Sequence, residues 1–450
     1  MNNTSEAIRL MVLLLLIALA VALVARRARL PYTLGLVVVG LVIGFFHLLP
    51  GVVLTPNLVL FIFLPALLFE GAWNLEQREL LRNWFPVFLL AVPGLAISVI
   101  IGGLILHFAV GLDWSVAFLL GAIVSPTDPI AVLALLREMG LSTRLRILIE
   151  GESLFNDGVA AALAQVLLAV VLGSVAASAG GAASGVNVIL PGTSGGVIAE
   201  ELIIDLIRLV GGGIGLGLVV GYVVSRLVRH VDDHLIETTI TVVVAYGIYL
   251  LAEALQVSGI LAVITAALVL GSYGRQTGMA PATQETVAGF WEFVAYLANS
   301  LLFLLMGLEL GQYPLKGALA PIGWAVLSVV AGRALMIYLL IPFYNLLVQR
   351  LEGKQIAAYI APGFIPRRWC LVLLSAGLRG ALSLALALAL PLPTPNRDLL
   401  IVIVYGVMLV TLLGQGFGLR FLLPLLRRKS QAEREPEEGA RPVGEAQQKR

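Results

Sequence analysis

Two short stretches of this chain place acids and hydroxyls where an apolar sequence has little use for them. The first reads Ser125-Pro-Thr-Asp-Pro129 and the second Gly151-Glu-Ser-Leu-Phe-Asn-Asp157. In the first, Pro126 and Pro129 bracket Thr127 and Asp128. Each proline lacks an N–H and clashes with the carbonyl four residues back, so a helix running through here must unwind. Unwound backbone inside a bilayer is tolerated only where protein buries it or a water-filled cavity solvates it. An aspartate among the freed carbonyls is the makings of a cation site; a proline kink whose aspartate caps the following half-helix fits the same residues. In the second stretch, residues four apart share a helix face, which sets Ser153 beside Asp157 and Glu152 beside Asn156. Carboxylate and hydroxyl are hard oxygen donors, suited to a hard cation rather than a soft transition metal.

Other ionisable groups fall inside apolar runs: Glu70, Glu253, Glu309, Arg333 and Arg379. Charges at membrane depth are costly and mark functional candidates. Arg333 sits in the middle of its run and needs an acid partner, because a buried unpaired charge is strongly destabilising; the Glu152–Asn156 face is the expected place. Arg379 is expected to donate to carbonyls freed at a helix break. Glu253 and Glu309 lie near the ends of their runs and are expected to reach water. Glu70 sits among aromatic and aliphatic neighbours near the end of its run, open either to a buried role or to plain hydration. If Asp128 and Asp157 share one cavity, a small cation and a proton compete for them, and that competition yields antiport when the cavity faces one side at a time.

The elements that must position these groups are membrane helices. Of the 450 residues, 59% are hydrophobic and 12% charged, against roughly 25% charged in soluble domains. Apolar runs of about twenty residues match the hydrocarbon thickness of a bilayer. Thirteen spans are expected, at 8–25, 32–49, 56–75, 85–109, 114–137, 146–173, 200–228, 236–254, 258–274, 288–311, 318–349, 370–391 and 398–424. The first reads as a retained span rather than a signal peptide, since Arg26 and Arg27 follow it without a small-residue cleavage site. Fifteen Lys and Arg occupy one set of alternate loops, against three (Arg9, Lys316 and Arg397) on the other side. The positive-inside rule then puts the N-terminus outside and the C-terminus in the cytoplasm. The stretch 174–199, rich in Gly, Ala and Ser, is expected to be a flexible outer loop, and 426–450 a short disordered cytoplasmic tail after a transmembrane domain of 1–425. No appended soluble regulatory domain fits in that tail.

A net charge of +2 gives no field for nucleic acid. The single cysteine, Cys370, rules out an internal disulfide or a multi-cysteine metal centre. The histidines have no zinc spacing, and His230 and His234 flank Asp232 and Asp233 in a loop read as solvated. No resident cofactor is expected. An intramembrane enzyme is disfavoured, since no serine–histidine pair or paired-histidine motif lies in the spans. Channels present repeated pore motifs or charged rings, and neither is visible.

Taken with Leu64-Pro-Ala-Leu-Leu-Phe-Glu-Gly-Ala-Trp-Asn74 and Gly377-Leu-Arg-Gly-Ala381, the two acidic stretches make this sequence resemble the sodium/proton exchanger family over about residues 8–425, in its NhaP-like bacterial branch related to the animal exchangers. The resemblance implies an all-α polytopic fold of thirteen helices in two inverted repeats, with broken helices crossing at mid-membrane, a homodimer surrounded by membrane lipid, and an elevator-like alternation. The partner of the break at Pro126–Pro129 is expected around Gly377–Ser383. Carried over residue by residue, Asp157 matches the essential ion-binding aspartate, Asp128 and Thr127 the ligands on the unwound helix, Ser153 a hydroxyl ligand, Glu152 and Arg333 a structural ion pair, and Glu70 a conditional extra acid. Asn156-Asp157 matches the electroneutral branch, which implies one Na⁺ (or Li⁺) per proton across the plasma membrane; K⁺/H⁺ exchange is the alternative on the same machinery. Ala66 departs from the pattern, where many relatives carry a second proline after Pro65, and slightly different packing is expected there.

Overall fold

The computed structural model describes residues 2–28, 32–49, 54–129, 133, 142–178, 195–231, 233–275, 279–312, 317–351, 363–377 and 379–432. Among these, every regular element is a helix. Eight helices are long and apolar enough to cross a bilayer, and Tyr32–Phe45, Leu58–Asn74, Trp114–Ile123 and Gly259–Gly274 are shorter apolar ones. Helices dominate because only helices and closed barrels satisfy their own backbone polar groups in lipid.

In chain order, α1 (Asn2–Ala28) and α2 (Tyr32–Phe45) are followed by a π-helical turn, Leu58–Phe63, that runs into α3 (Leu64–Asn74). The short α4 (Gln77–Arg82) leads to α5 (Trp84–Ala91) and α6 (Pro93–Val110), one span kinked at Val92 ahead of Pro93. Then come α7 (Trp114–Ile123), α8 (Thr143–Ser178), α9 (Gly195–Val228), α10 (His234–Ala254) and α11 (Gly259–Val269), which ends in a second π turn, Leu270–Gly274. The chain closes with α12 (Pro281–Gln312), α13 (Leu319–Leu351), α14 (Arg367–Ser375), α15 (Ala381–Leu388) and α16 (Arg397–Ala432).

Two sets of contacts fix the helices around the breaks. First, α2 and α12 pack backbone to backbone. A Cβ added at Gly40 would strike the main chain of Leu304, and one at Gly307 the main chain of Val37; Gly44 and Gly311 meet the same limit one turn on. Small residues of this kind let membrane helices approach closely, where packing rather than hydrophobicity drives association. Second, Arg144 at the start of α8 donates to Asn83 (2.8 Å), to the carbonyls of Gly363 (2.9 Å) and Phe364 (3.0 Å), and to the Tyr344 hydroxyl (3.3 Å). It ties the ends of α4, α8, α13 and the segment leading into α14 into one unit.

Asp233 acts locally. Its carboxylate caps α10, accepting from the N–H groups of Leu235 (2.8 Å) and Ile236 (3.2 Å), which hold it below the usual carboxylate range. The expected loop 174–199 is helical at both edges, and 179–194 lie outside the described residues. Helix α16 continues to Ala432, past the expected domain boundary at 425, and 433–450 also lie outside them.

Candidate cation site

Helix α7 stops at Ile123, and Ser125 to Pro129 are non-helical, as two prolines within four residues demand. The rest of that expected span, 130–137 apart from Leu133, lies outside the described residues. The partner break separates α14 from α15 at Ala376–Gly380, so Ala381–Ser383, expected inside the break, already form the first turn of α15.

The two breaks touch. Arg379, 2% exposed, donates from Nη1 to the carbonyl of Ser125 and, at 3.2 Å, to that of Pro126. It thereby serves carbonyls that α7 leaves unpaired on ending, across to the other broken helix. Arg333 does the same for α14: Nε and Nη2 donate to the carbonyl of Leu373 at 3.1 and 2.9 Å. Its Nη1 and Nη2 also meet Glu152 Oε1 and Oε2, each at 3.1 Å, in a two-pronged pair with both residues buried. An arginine at the carbonyl end of a helix lies where the helix dipole favours positive charge, and its planar fork matches a carboxylate. Gly380 is extended (φ −113°, ψ −175°) and lies so close to Asp128 that a Cβ there would fall 2.6 Å from the Asp128 Cβ. Asp128 therefore stands at the N-terminal end of α15, where N–H groups favour an anion.

One face of α8 meets the unwound segment of the first break. The Ser153 hydroxyl donates to the Thr127 carbonyl, and Asn156 Nδ2 donates to that of Ser125 at 3.3 Å. The Thr127 N–H donates to Asp157 Oδ1 at 3.2 Å. Asn156 thus holds a carbonyl, which an aspartate, without a donor when ionised, cannot do. Two buried oxygens, Thr127 Oγ1 and Asn156 Oδ1, have no hydrogen-bond partner among the described residues. Buried polar atoms without partners are rare in native structures, and oxygens spare for a ligand are what a cation site requires.

Asp157, Asp128, Thr127, Ser153, Pro126 and Pro129 line a cavity of about 330 Å³. Glu70 lines it too, but toward its mouth, where Asn74 Nδ2 donates to Glu70 Oε1 at 2.7 Å. Arg146 and Glu150 stand at the same mouth, and Arg146 reaches Glu76 at 3.2 Å and Glu150 at 3.7 Å. The structure therefore gathers Asp157, Asp128, Thr127, Ser153 and Asn156 at the breaks, sets Glu152 and Arg333 behind them, and leaves Glu70 on the wall.

Sequence reading missed the opposite wall. Glu292, Tyr296 and Asn299 of α12 line the same cavity. Their spacing puts them on one helix face, and that stripe was the available signal. Glu309 departs from expectation: it is 7% exposed, buried inside the protein rather than open to water. Glu253 is exposed, as expected, and lines a second cavity.

The family model described as "Sodium/hydrogen exchanger, transmembrane" matches residues 12–424. The chain is 37% identical over 398 residues to the low-affinity Na⁺/H⁺ antiporter NhaS1 of Synechocystis, covering 88% of this chain and 69% of that protein. It is 38% identical over 398 residues to the Na⁺/H⁺ antiporter ApNhaP of Aphanothece halophytica, covering 88% and 70%. The structure of the sodium proton antiporter MjNhaP1 from Methanocaldococcus jannaschii superposes with a TM-score of 0.72 at 22% identity, over 95% of this chain and 99% of that one.

Proposed function

This chain belongs to the sodium/hydrogen exchanger family, and from that premise we propose that it exchanges Na⁺ or Li⁺ for H⁺ across the plasma membrane, one for one, at the crossing of its helix breaks. The observation that carries the reading is the convergence of Asp157, Asp128 and the unpartnered Thr127 hydroxyl on one cavity beside two unwound segments.

In this mechanism Asp157 is the principal carrier and Asp128 the second carboxylate. Thr127 and Ser153 supply neutral oxygens, and Glu70 loads the approach. A cation arriving through the cavity displaces the proton, and a proton expels the cation, so neither crosses without the other. Glu152, Arg333 and Arg379 are structural: they cap the two breaks and hold the unwound carbonyls in place.

Two features support the one-for-one reading: the Asn156-Asp157 pair, which matches the electroneutral branch, and the balance of the buried charges at the crossing. Asp128, Asp157 and Glu152 stand against Arg333 and Arg379, which leaves one net negative charge when all are ionised. One Na⁺ or one proton neutralises it, so either loaded state carries the same charge through the membrane. A step that moved one net charge would gain or lose about 2.3 kcal/mol per 100 mV; an electroneutral exchanger does not feel that term.

We further propose thirteen crossings, the C-terminus and the mouth bearing Arg146 on the cytoplasmic side, and a homodimer in which lipid or the second copy covers the exposed apolar face of α9, where Ile203, Ile207 and Val219 are more than half exposed.

The test is cation-driven proton flux in proteoliposomes, comparing Na⁺, Li⁺ and K⁺ with the potential clamped by valinomycin. Flux with Na⁺ or Li⁺ that ignores the voltage is the expected result. Flux that follows the voltage overturns the stoichiometry, and flux with K⁺ alone changes the substrate.

A further inference from the structure

Four buried polar atoms at the crossing have no hydrogen-bond partner among the described residues: Thr127 Oγ1, Asn156 Oδ1, Arg379 Nε and Ser383 Oγ. Thr127 lines the cavity, so its oxygen is open to the transported cation. Asn156, Arg379 and Ser383 do not line it, and they are 4%, 2% and 1% exposed. Their spare atoms therefore serve something other than the cation in the cavity.

These three residues come together from α8 and the second break. Asn156 Nδ2 and Arg379 Nη1 donate to the same Ser125 carbonyl, which sets the amide and the guanidinium side by side. Ser383 stands in the first turn of α15, four residues beyond Arg379. Of the spare atoms, Arg379 Nε is a donor, Asn156 Oδ1 an acceptor, and Ser383 Oγ can be either. A cation in their midst would meet the arginine charge, and an anion would meet the amide oxygen. A water molecule donates twice and accepts twice, which suits all three. Buried waters typically make about three hydrogen bonds to groups otherwise left unsatisfied.

We propose that one buried water bridges Asn156 Oδ1, Arg379 Nε and Ser383 Oγ behind the cation site, and that Ser383 is a positioning residue for that site. The water fixes which way the Asn156 amide faces. With Oδ1 turned to the water, Nδ2 stays on the Ser125 carbonyl; a flipped amide would press one oxygen against another. The backbone from Ser125 to Thr127 is then held so that the Thr127 N–H points at Asp157 Oδ1. Ser383 thus acts on the cation through the water, Asn156 and that backbone, without touching it. The link to cation affinity rests on the exchange reading; the water site does not.

Two measurements test it. A structure of the full-length protein in lipid nanodiscs, at a resolution that shows ordered water, should hold density within hydrogen-bond distance of all three atoms. Arg379 Nε bonded directly to Asn156 Oδ1, or no density between them, overturns the site, and the native protein alone decides this. In proteoliposomes, Ser383→Ala should raise the half-saturating Na⁺ concentration about two- to tenfold, the weight of one hydrogen bond, at an unchanged maximal rate. Ser383→Thr, which keeps the hydroxyl, should restore the native value. A native half-saturating concentration in Ser383→Ala, a fall in maximal rate alone, or the same rise in Ser383→Thr overturns the positioning role. If the density is present but the native protein shows no cation-driven proton flux, the exchange reading fails while the water site stands.

Discussion

Asp157, Glu152 and Arg379 lie within one small region of the fold, yet they should fail in different ways when changed. Asp157→Asn keeps the carbonyl oxygen that accepts from Thr127 and removes the charge that cation and proton share. Exchange should vanish while the purified protein keeps its melting temperature; exchange at the native rate would remove Asp157 from the mechanism. Glu152→Ala strands Arg333 in a buried position, since the carbonyl of Leu373 can accept from the arginine but cannot neutralise it. Breaking a buried pair from one side costs about 3–5 kcal/mol, read as a lower melting temperature in detergent, and Glu152→Ala with Arg333→Leu should recover part of that loss. Arg379→Ala leaves the carbonyl of Pro126 without its donor and that of Ser125 with Asn156 alone. An unsatisfied buried polar group costs about 1–3 kcal/mol, and because these carbonyls border Asp157 the half-saturating Na⁺ concentration should rise as well. A variant that loses stability but binds Na⁺ normally would make Arg379 a cap and nothing more.

At the level of the elements, the two breaks differed in how plainly they could be read. The break after α7 is written in local chemistry, because Pro126 and Pro129 deny the backbone its ladder whatever surrounds them. The break between α14 and α15 contains no proline, and only the family resemblance located it. What its glycines answer to is tertiary: a Cβ at Gly377 would collide with the Arg333 side chain, and one at Gly380 with Asp128. Those glycines answer to neighbours from α13 and from the other break, which single-sequence periodicity does not contain. The same reason explains Glu292 and Asn299, whose stripe gains meaning only once α12 faces α8 across a cavity. Gly380→Ala is the sharp test of the close approach. The backbone at 380 is ordinary extended chain, so the added methyl should cost little in helix formation but push Asp128 aside. Exchange should fall at least about tenfold, the loss of roughly 1.4 kcal/mol of binding energy, with the protein still reaching the membrane. Unchanged exchange would mean that Asp128 can move freely and takes no part in holding the cation.

Across the whole molecule, composition and apolar run lengths were enough to declare a membrane protein, and the order of motifs enough to place the charged groups, because bilayer thickness and desolvation act on any sequence alike. Which walls share a cavity was not legible, since that depends on how helices far apart in sequence pack. The glycine contacts between α2 and α12 have a mechanical meaning here. Two helices whose main chains touch along successive turns act as one beam, because ratcheting either by a turn would drive side chains into the space that the missing Cβ atoms leave. The beam carries Glu292 and Asn299, so in the elevator-like alternation that the resemblance implies, that wall of the cavity would be the rail and the unit clamped by Arg144 and Arg333 the carriage that passes it. A disulfide stapling α2 to α12 should accordingly leave turnover intact, whereas one stapling α12 to α8 should halt it, and reduction should restart it.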